Sequence, residues 1–281
     1  MTRRAGIIGW PVSHSLSPVL HGYWLTEYGI DGEYLPLPAR PEEFAAAVGR
    51  TRQEGYAGLN VTVPHKEAAY RVAEKRDRAA DICGAVNLLI FGSNGVEGRN
   101  TDHEGLQKSL EESLGEEMLA GKTGILLGAG GAARAAVLAL DEMGVAQIHV
   151  LNRHQARAEG LCHDLELKIK AKLVAGPFSA YAALAVNAAL LINTTSAGMK
   201  GNEDLALDLT PLPLAAAVCD IVYNPLETGL LRDAARRGHR VIDGLGMLMH
   251  QAVPSFEAFF GLRPKVTPGL RATLVKALHG E

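Results

Sequence analysis

Three stretches of this chain carry side chains that could handle an anion or a proton. The first is Ser13-His14-Ser15-Leu16-Ser17-Pro18. Two hydroxyls two residues apart at a helix start make a small-anion site, because free N–H groups and the helix dipole favour negative charge there. Ser17-Pro18 also fits an ordinary helix start, with Ser as N-cap and Pro at the first helical position. Ser15 has no such second use. The next stretch is Asn60-Val61-Thr62-Val63-Pro64-His65-Lys66. Asn60 and Thr62 share one strand face, and Lys66 falls in the first turn of the following helix. The positive end of that helix opposes an ammonium, which favours an amine able to exchange protons. The last stretch, Gly98-Arg99-Asn100-Thr101-Asp102, ends in a carboxylate that could cap the next helix or orient a lysine.

A fourth feature is built from backbone. Gly128-Ala129-Gly130-Gly131-Ala132-Ala133 fits G-x-G-x-x-A directly after an apolar run. Small residues there permit a tight turn, close approach to a pyrophosphate and close helix packing, so the turn reads as a dinucleotide site. NAD enzymes usually place an acidic residue at the end of the second strand to hold the ribose hydroxyl. This chain has Asn152-Arg153 there, with Arg157 one turn later. Two guanidinium groups suit a ribose phosphate and therefore NADP; the plainer alternative is a pair of solvated charges.

These features need elements to hold them. Strand-like runs lie at Ala5–Gly9, Gly58–Val63, Ala85–Phe91, Val96–Asn100, Thr123–Leu127, Gln147–Leu151, Ala189–Asn193, Ala217–Val222 and Arg240–Ile242. Helical spacing starts at Ser17 (apolar face Val19, Leu20, Tyr23, Trp24), at Pro64, and at Asp102 with Leu106, Leu110 and Leu114. It resumes over Ala132–Met143, Met247–Phe260 and Pro268–His279. Ser93-Asn94-Gly95 reads as a hairpin turn. This alternation predicts an α/β protein: an α/β domain followed by a doubly wound nucleotide-binding domain, with a boundary near 102–121.

The bulk numbers narrow the function classes. The 281 residues are 47% apolar and 21% charged, with a net charge of −3. That leaves no basic excess for nucleic acid. The longest apolar stretch, near Ala182–Ile192, is too short to span a bilayer. Cys83, Cys162 and Cys219 form neither a CxxC pair nor an even set, so no disulfide framework or zinc site is expected, and no ligand spacing suggests another metal. The expected location is the reducing cytoplasm.

Taken together, the ordered motifs resemble the shikimate dehydrogenases over nearly the whole chain. They run from Ser13–Pro18 and Asn60–Lys66 to Gly84-Ala85-Val86-Asn87 and Asn100-Thr101-Asp102. They continue through Gly128–Ala132, Asn152-Arg153, Asn193–Met199, Asp220–Pro225 and Asp243–Leu248. The resemblance implies NADP-dependent, reversible reduction of 3-dehydroshikimate to shikimate, a small-molecule reaction of aromatic amino acid biosynthesis, by a monomer or homodimer. A quinate/shikimate dehydrogenase of broader specificity using NAD is the alternative. It further implies Lys66 and Asp102 as the catalytic pair. Ser15, Ser17 and Tyr223 would hold the substrate carboxylate, and Asn87, Gln251 and Thr62 would line the ring. For the cofactor it implies Gly128, Ala129, Gly130, Gly131, Ala132, Asn152, Arg153, Arg157, Thr194, Ile221, Gly244 and Met247. The implied substrate domain is 1–102, completed by 246–281. The NADP domain is 103–245, of Rossmann type, with the active site in the cleft between them. Leu88, His103 and His154 depart from the family pattern of Thr, Gly and Thr. A solvated His103 at a helix start is the expected arrangement.

Overall fold

The computed structural model describes residues 2–280. The chain divides into two compact units, Met1–Asp102 with Leu248–Glu281, and His103–Met247.

The first unit begins β1 (Arg3–Gly9), α1 (Ser17–Glu27), β2 (Gly32–Pro38), α2 (Phe44–Gln53), β3 (Gly58–Val61) and α3 (Lys66–Val72). It continues with β4 (Lys75–Arg76), α4 (Arg78–Cys83), β5 (Leu88–Gly92) and β6 (Gly95–Arg99). The sheet order is β2-β1-β3-β5-β6-β4. β1 runs parallel to β2 and β3, whereas β5 is antiparallel to both β3 and β6. The hairpin from β5 to β6 closes at Ser93-Asn94, with Gly95 at φ +113°. One core cluster gathers Ile8, Phe44, Leu59, Val86 and Leu89 on this sheet.

The chain leaves the unit through α5 (Asp102–Leu114). The second unit then alternates β7 (Thr123–Leu127), α6 (Gly131–Glu142), β8 (Gln147–Asn152), α7 (Gln155–Leu165), β9 (Lys172–Pro177), α8 (Tyr181–Ala185) and β10 (Leu190–Asn193). It ends with β11 (Ala217–Asp220), α9 (Gly229–Arg236) and β12 (Arg240–Ile242). All its strand pairs are parallel, in the order β12-β11-β10-β7-β8-β9. That is the doubly wound Rossmann order. Ile125, Leu127, Leu151, Leu191 and Val218 form its core, and near-continuous apolar strands such as Gly124–Leu127 reflect a sheet covered on both faces.

The chain returns to the first unit within α10 (Gly244–Phe260) and closes with α11 (Pro268–His279). Trp24 and Phe256 meet edge to face at 5.3 Å, and the Trp24 indole N–H donates to the Lys265 carbonyl at 3.0 Å.

Several local expectations are corrected. The strand expected over Gly58–Val63 stops at Val61, and the helix after it starts at Lys66 rather than Pro64. The buried face of α1 is Leu20, His21, Trp24 and Leu25; Val19 is exposed. Ser17 is not the N-cap. It is the first helical residue, and the Ser15 hydroxyl accepts its N–H at 3.2 Å. The helix expected over Met247–Phe260 starts three residues earlier, at Gly244, because the Asp243 carboxylate caps the Leu245 N–H at 3.0 Å.

Candidate active site and dinucleotide cavity

In the first unit, Lys66 opens α3 and Asp102 opens α5. The Lys66 ammonium donates to Asp102 Oδ2 at 2.5 Å, with the carboxylate side chain 8% exposed and the lysine 26%. Asn87 supports the carboxylate from the other side: its amide donates to Asp102 Oδ1 at 2.8 Å. Asn87 sits just after α4, which Gly84 ends in the left-handed conformation at φ +63°. The Thr101 N–H donates to Asn87 Oδ1 at 2.8 Å, and the Asp102 N–H to Asn100 Oδ1 at 3.1 Å. α10 adds Gln251. Its carbonyl accepts the Thr101 hydroxyl at 2.9 Å, and its side-chain oxygen lies 3.4 Å from the Asn87 amide. Each buried polar group is thus held by another, which fixes the pair in one geometry.

The serines join the same network. Ser17, 3% exposed, is hydrogen-bonded to Tyr34 on β2. The Tyr34 hydroxyl donates to Asn60 Oδ1 at 2.8 Å, and the Asn60 amide donates to Ser255 Oγ at 2.8 Å and the Asn87 carbonyl at 3.2 Å. Burial pushes the Tyr34 phenol well above its usual range, and the Ser17 bond pulls the other way. His21 stacks on Tyr34 with ring centroids 3.8 Å apart, and burial lowers its pKa to about 3. Thr62 follows β3, its N–H donating to the Ile8 carbonyl at 3.0 Å. Gly9 is required beside it, since a Cβ there would lie 2.4 Å from Thr62 Cγ2.

The second unit holds a cavity of about 870 Å³ at the carboxyl ends of β7, β8 and β10. Gly128, Ala129, Gly130, Asn152, Arg153, Arg157 and Thr194 line it. Gly128 has φ +111°, and a Cβ on it would meet the Thr194 hydroxyl at 2.7 Å, so the turn admits only glycine. The Thr194 hydroxyl donates to the Leu127 carbonyl at 2.7 Å. Gly131 and Ala132 begin α6, whose first N–H groups have no helical partner. Arg153 and Arg157 are exposed and, among the described residues, enter no ion pair. They are cations still available to an anion. Gly131, Ala132, Ile221, Gly244 and Met247 lie outside the cavity wall. Gly244 abuts Ile221, where a Cβ would fall 2.2 Å from the Ile221 carbonyl oxygen. Tyr223 follows β11 in this unit.

Two family models match: "Shikimate dehydrogenase substrate binding domain" over residues 7–89 and "Shikimate / quinate 5-dehydrogenase" over 109–200. The chain is 48% identical to the shikimate dehydrogenase (NADP(+)) of Methylobacterium radiotolerans, over 99% of either protein.

The chain belongs to the shikimate dehydrogenase family.

Solved structures agree. Thermus thermophilus shikimate 5-dehydrogenase in complex with NADP(H) and shikimate is 32% identical, with a TM-score of 0.85 and 99% of both chains covered. Quinate dehydrogenase from Corynebacterium glutamicum in complex with NAD is 28% identical, with a TM-score of 0.89 and 98% and 99% covered.

Within this shikimate dehydrogenase family member, the sequence motifs left some residues of these two networks unassigned. Thr101 lies between two named residues and bridges Asn87 to Gln251. Tyr34, on the edge strand β2 with Pro36 and Pro38, carried no motif. Thr195, Ser196 and Ala197 belong to a recognised motif yet had no assigned place in the cavity wall. The departures also resolve. Leu88 is fully buried at the start of β5. His103 is not solvated: it is 8% exposed, with Nε2 3.7 Å from the Glu142 carboxylate. Glu142 is the last residue of α6. His154 is exposed at the N-cap of α7, and its carbonyl accepts the Asn152 amide at 3.0 Å.

Proposed function

We propose that this protein catalyses the NADP-dependent, reversible reduction of 3-dehydroshikimate to shikimate in the cytoplasm. The observation that carries the reading is the Lys66–Asp102 pair at 2.5 Å, in a chain 48% identical end to end to a shikimate dehydrogenase (NADP(+)). The first unit is the substrate domain and the second the NADP domain. Among the described residues no helix is long and apolar enough to cross a membrane.

Ser15 and Ser17 bind the substrate carboxylate. Asn87, Asp102, Gln251, Thr62 and Lys66 take the ring hydroxyls. Lys66 gives its proton to the carbonyl oxygen as that carbon is reduced, and takes it back from the hydroxyl in the oxidative direction. Asp102 orients the ammonium and keeps a counter-charge beside it, so the amine is held at the reacting oxygen. Bound NADPH supplies the hydride. Gly128, Ala129, Gly130, Gly131 and Ala132 receive its pyrophosphate. Asn152, Arg153 and Arg157 hold the ribose phosphate, Thr194 backs the glycine turn, and Ile221, Gly244 and Met247 flank the nicotinamide.

The test is absorbance at the NADPH band with purified protein, using shikimate or quinate with NADP or NAD. Shikimate-dependent reduction of NADP is expected to dominate. Folded protein without it would overturn the reading, and dominance of quinate with NAD would transfer it to the broader-specificity alternative.

A further inference from the structure

A buried carboxylate in the second unit takes no part in the reaction above. Asp220 ends β11, is fully buried, and pairs in register with Asn193 at the end of β10. Its Oδ1 accepts from the Asn193 amide at 3.0 Å and from the Val222 N–H at 3.0 Å. Its Oδ2 accepts the Thr228 hydroxyl at 2.8 Å. Both oxygens are thus engaged by donors.

The chain of bonds then runs outward to the cavity. With its amide fixed by Asp220, Asn193 presents Oδ1 to the Thr195 N–H at 3.0 Å and the Thr195 hydroxyl at 2.7 Å. The Thr195 oxygen accepts the Ala197 N–H at 3.1 Å. Thr194, Thr195, Ser196 and Ala197 are cavity wall. Thr228 extends the support on the opposite side. It caps α9, and a Cβ on Gly198 would pack 3.3 Å from its Cβ. The next residue, Gly229, lies so close to Asp204, another wall residue, that a Cβ would fall 2.6 Å from the carboxyl carbon.

We propose that Asp220 is a positioning residue for NADP binding: through Asn193 and Thr195 on one side and Thr228 on the other, it sets the shape of the cavity wall without touching the cofactor. This rests on the reading that the cavity takes the dinucleotide. Removing the carboxylate leaves the Thr228 hydroxyl buried without an acceptor and the Asn193 amide with only its longer bond to the Ala197 carbonyl at 3.3 Å, so both readjust and the 194–197 wall moves. Asn at 220 keeps an oxygen for Asn193 and Val222 and can donate to the Thr228 oxygen.

The experiment is NADPH titration followed by fluorescence, with KM for shikimate measured beside it. Asp220→Ala is expected to raise the NADPH Kd roughly tenfold while shikimate KM changes less than threefold. Asp220→Asn is expected to restore most of the affinity. Thr195→Val cuts the same relay at its far end, and adding it to Asp220→Ala is expected to weaken binding little further. An unchanged NADPH Kd in folded Asp220→Ala, or fully additive effects, would overturn the proposal. If Asp220→Ala does not fold, Thr195→Val alone decides, with unchanged NADPH affinity counting against the relay. Arg153→Ala separates the two readings. Weakened NADPH binding there with none in the Asp220 or Thr195 variants removes the relay alone, whereas no weakening in any variant removes the cavity as the NADP site.

Discussion

Lys66 and Asp102 meet at 2.5 Å, yet each is the first residue of its own helix, so two helix starts converge on one proton. The positive ends of α3 and α5 both favour the carboxylate and oppose the ammonium. Asp102 therefore sets an opposite charge against the lysine at its own helix start. Lys66→Ala is expected to lower kcat about 100- to 10,000-fold, the usual share of a positioned acid or base, with shikimate KM nearly unchanged. Steady-state kinetics checks this. Equal loss of shikimate binding would point to a structural lysine.

The guanidinium groups at Arg153 and Arg157 have no ion-pair partner among the described residues, so their removal strands no buried carboxylate. Arg153→Ala or Arg157→Ala is expected to raise KM for NADP about ten- to a hundredfold while sparing NAD. The ratio of the two cofactors' kcat/KM measures it. A ratio that stays put would return both arginines to solvated surface charge.

His21 supplies a pH dependence of stability. Its pKa falls from 6.5 to about 3 because burial disfavours the charged ring, and neither ring nitrogen has a hydrogen-bond partner. Below pH 6.5 the unfolded chain binds a proton that the folded chain refuses. Stability therefore declines as pH falls from 6.5 toward 3, by about 2 kcal/mol at pH 5. Urea unfolding at pH 7.5 and pH 5 should show this difference, and it should shrink by that amount in His21→Phe. An equal slope in both proteins would contradict the assignment.

Leu88 marks a departure from the family pattern whose cost can be measured. Its side chain is fully buried and starts β5 directly after Asn87. Restoring Thr would remove apolar contacts and bury a hydroxyl, so Leu88→Thr is expected to lose about 2 kcal/mol. Thermal unfolding would show it, with shikimate KM unmoved. A stabilised variant would mean that a hydrogen-bond acceptor awaits the hydroxyl.

What the sequence made legible was mostly local. The glycine turn with its flanking strand and helix is one continuous run, the two arginines lie within five residues after β8, and backbone geometry gives each a reason to be there. The edge strands of the first sheet were hidden. Gly32–Pro38 carries prolines that only an edge tolerates, and Lys75–Arg76 is too short for any period. Long-range polar partners were hidden for another reason. Nothing near Asn60 announces Ser255, and nothing near Thr101 announces Gln251, because hydrogen-bond complementarity leaves no trace in spacing. His103 failed the same way: its helix-start position suggests water, while Glu142 arrives from the end of another helix.

That long reach bears on synthesis. Asn60 waits for Ser255, Thr101 for Gln251, and the Trp24 indole for the carbonyl of Lys265, separated by 195, 150 and 241 positions. A ribosome finishes the whole Rossmann sheet before it delivers any of these partners. The unit that begins first is completed last, and the nascent amino-terminal segment must stay foldable, with its polar network open, until residues 251–265 emerge.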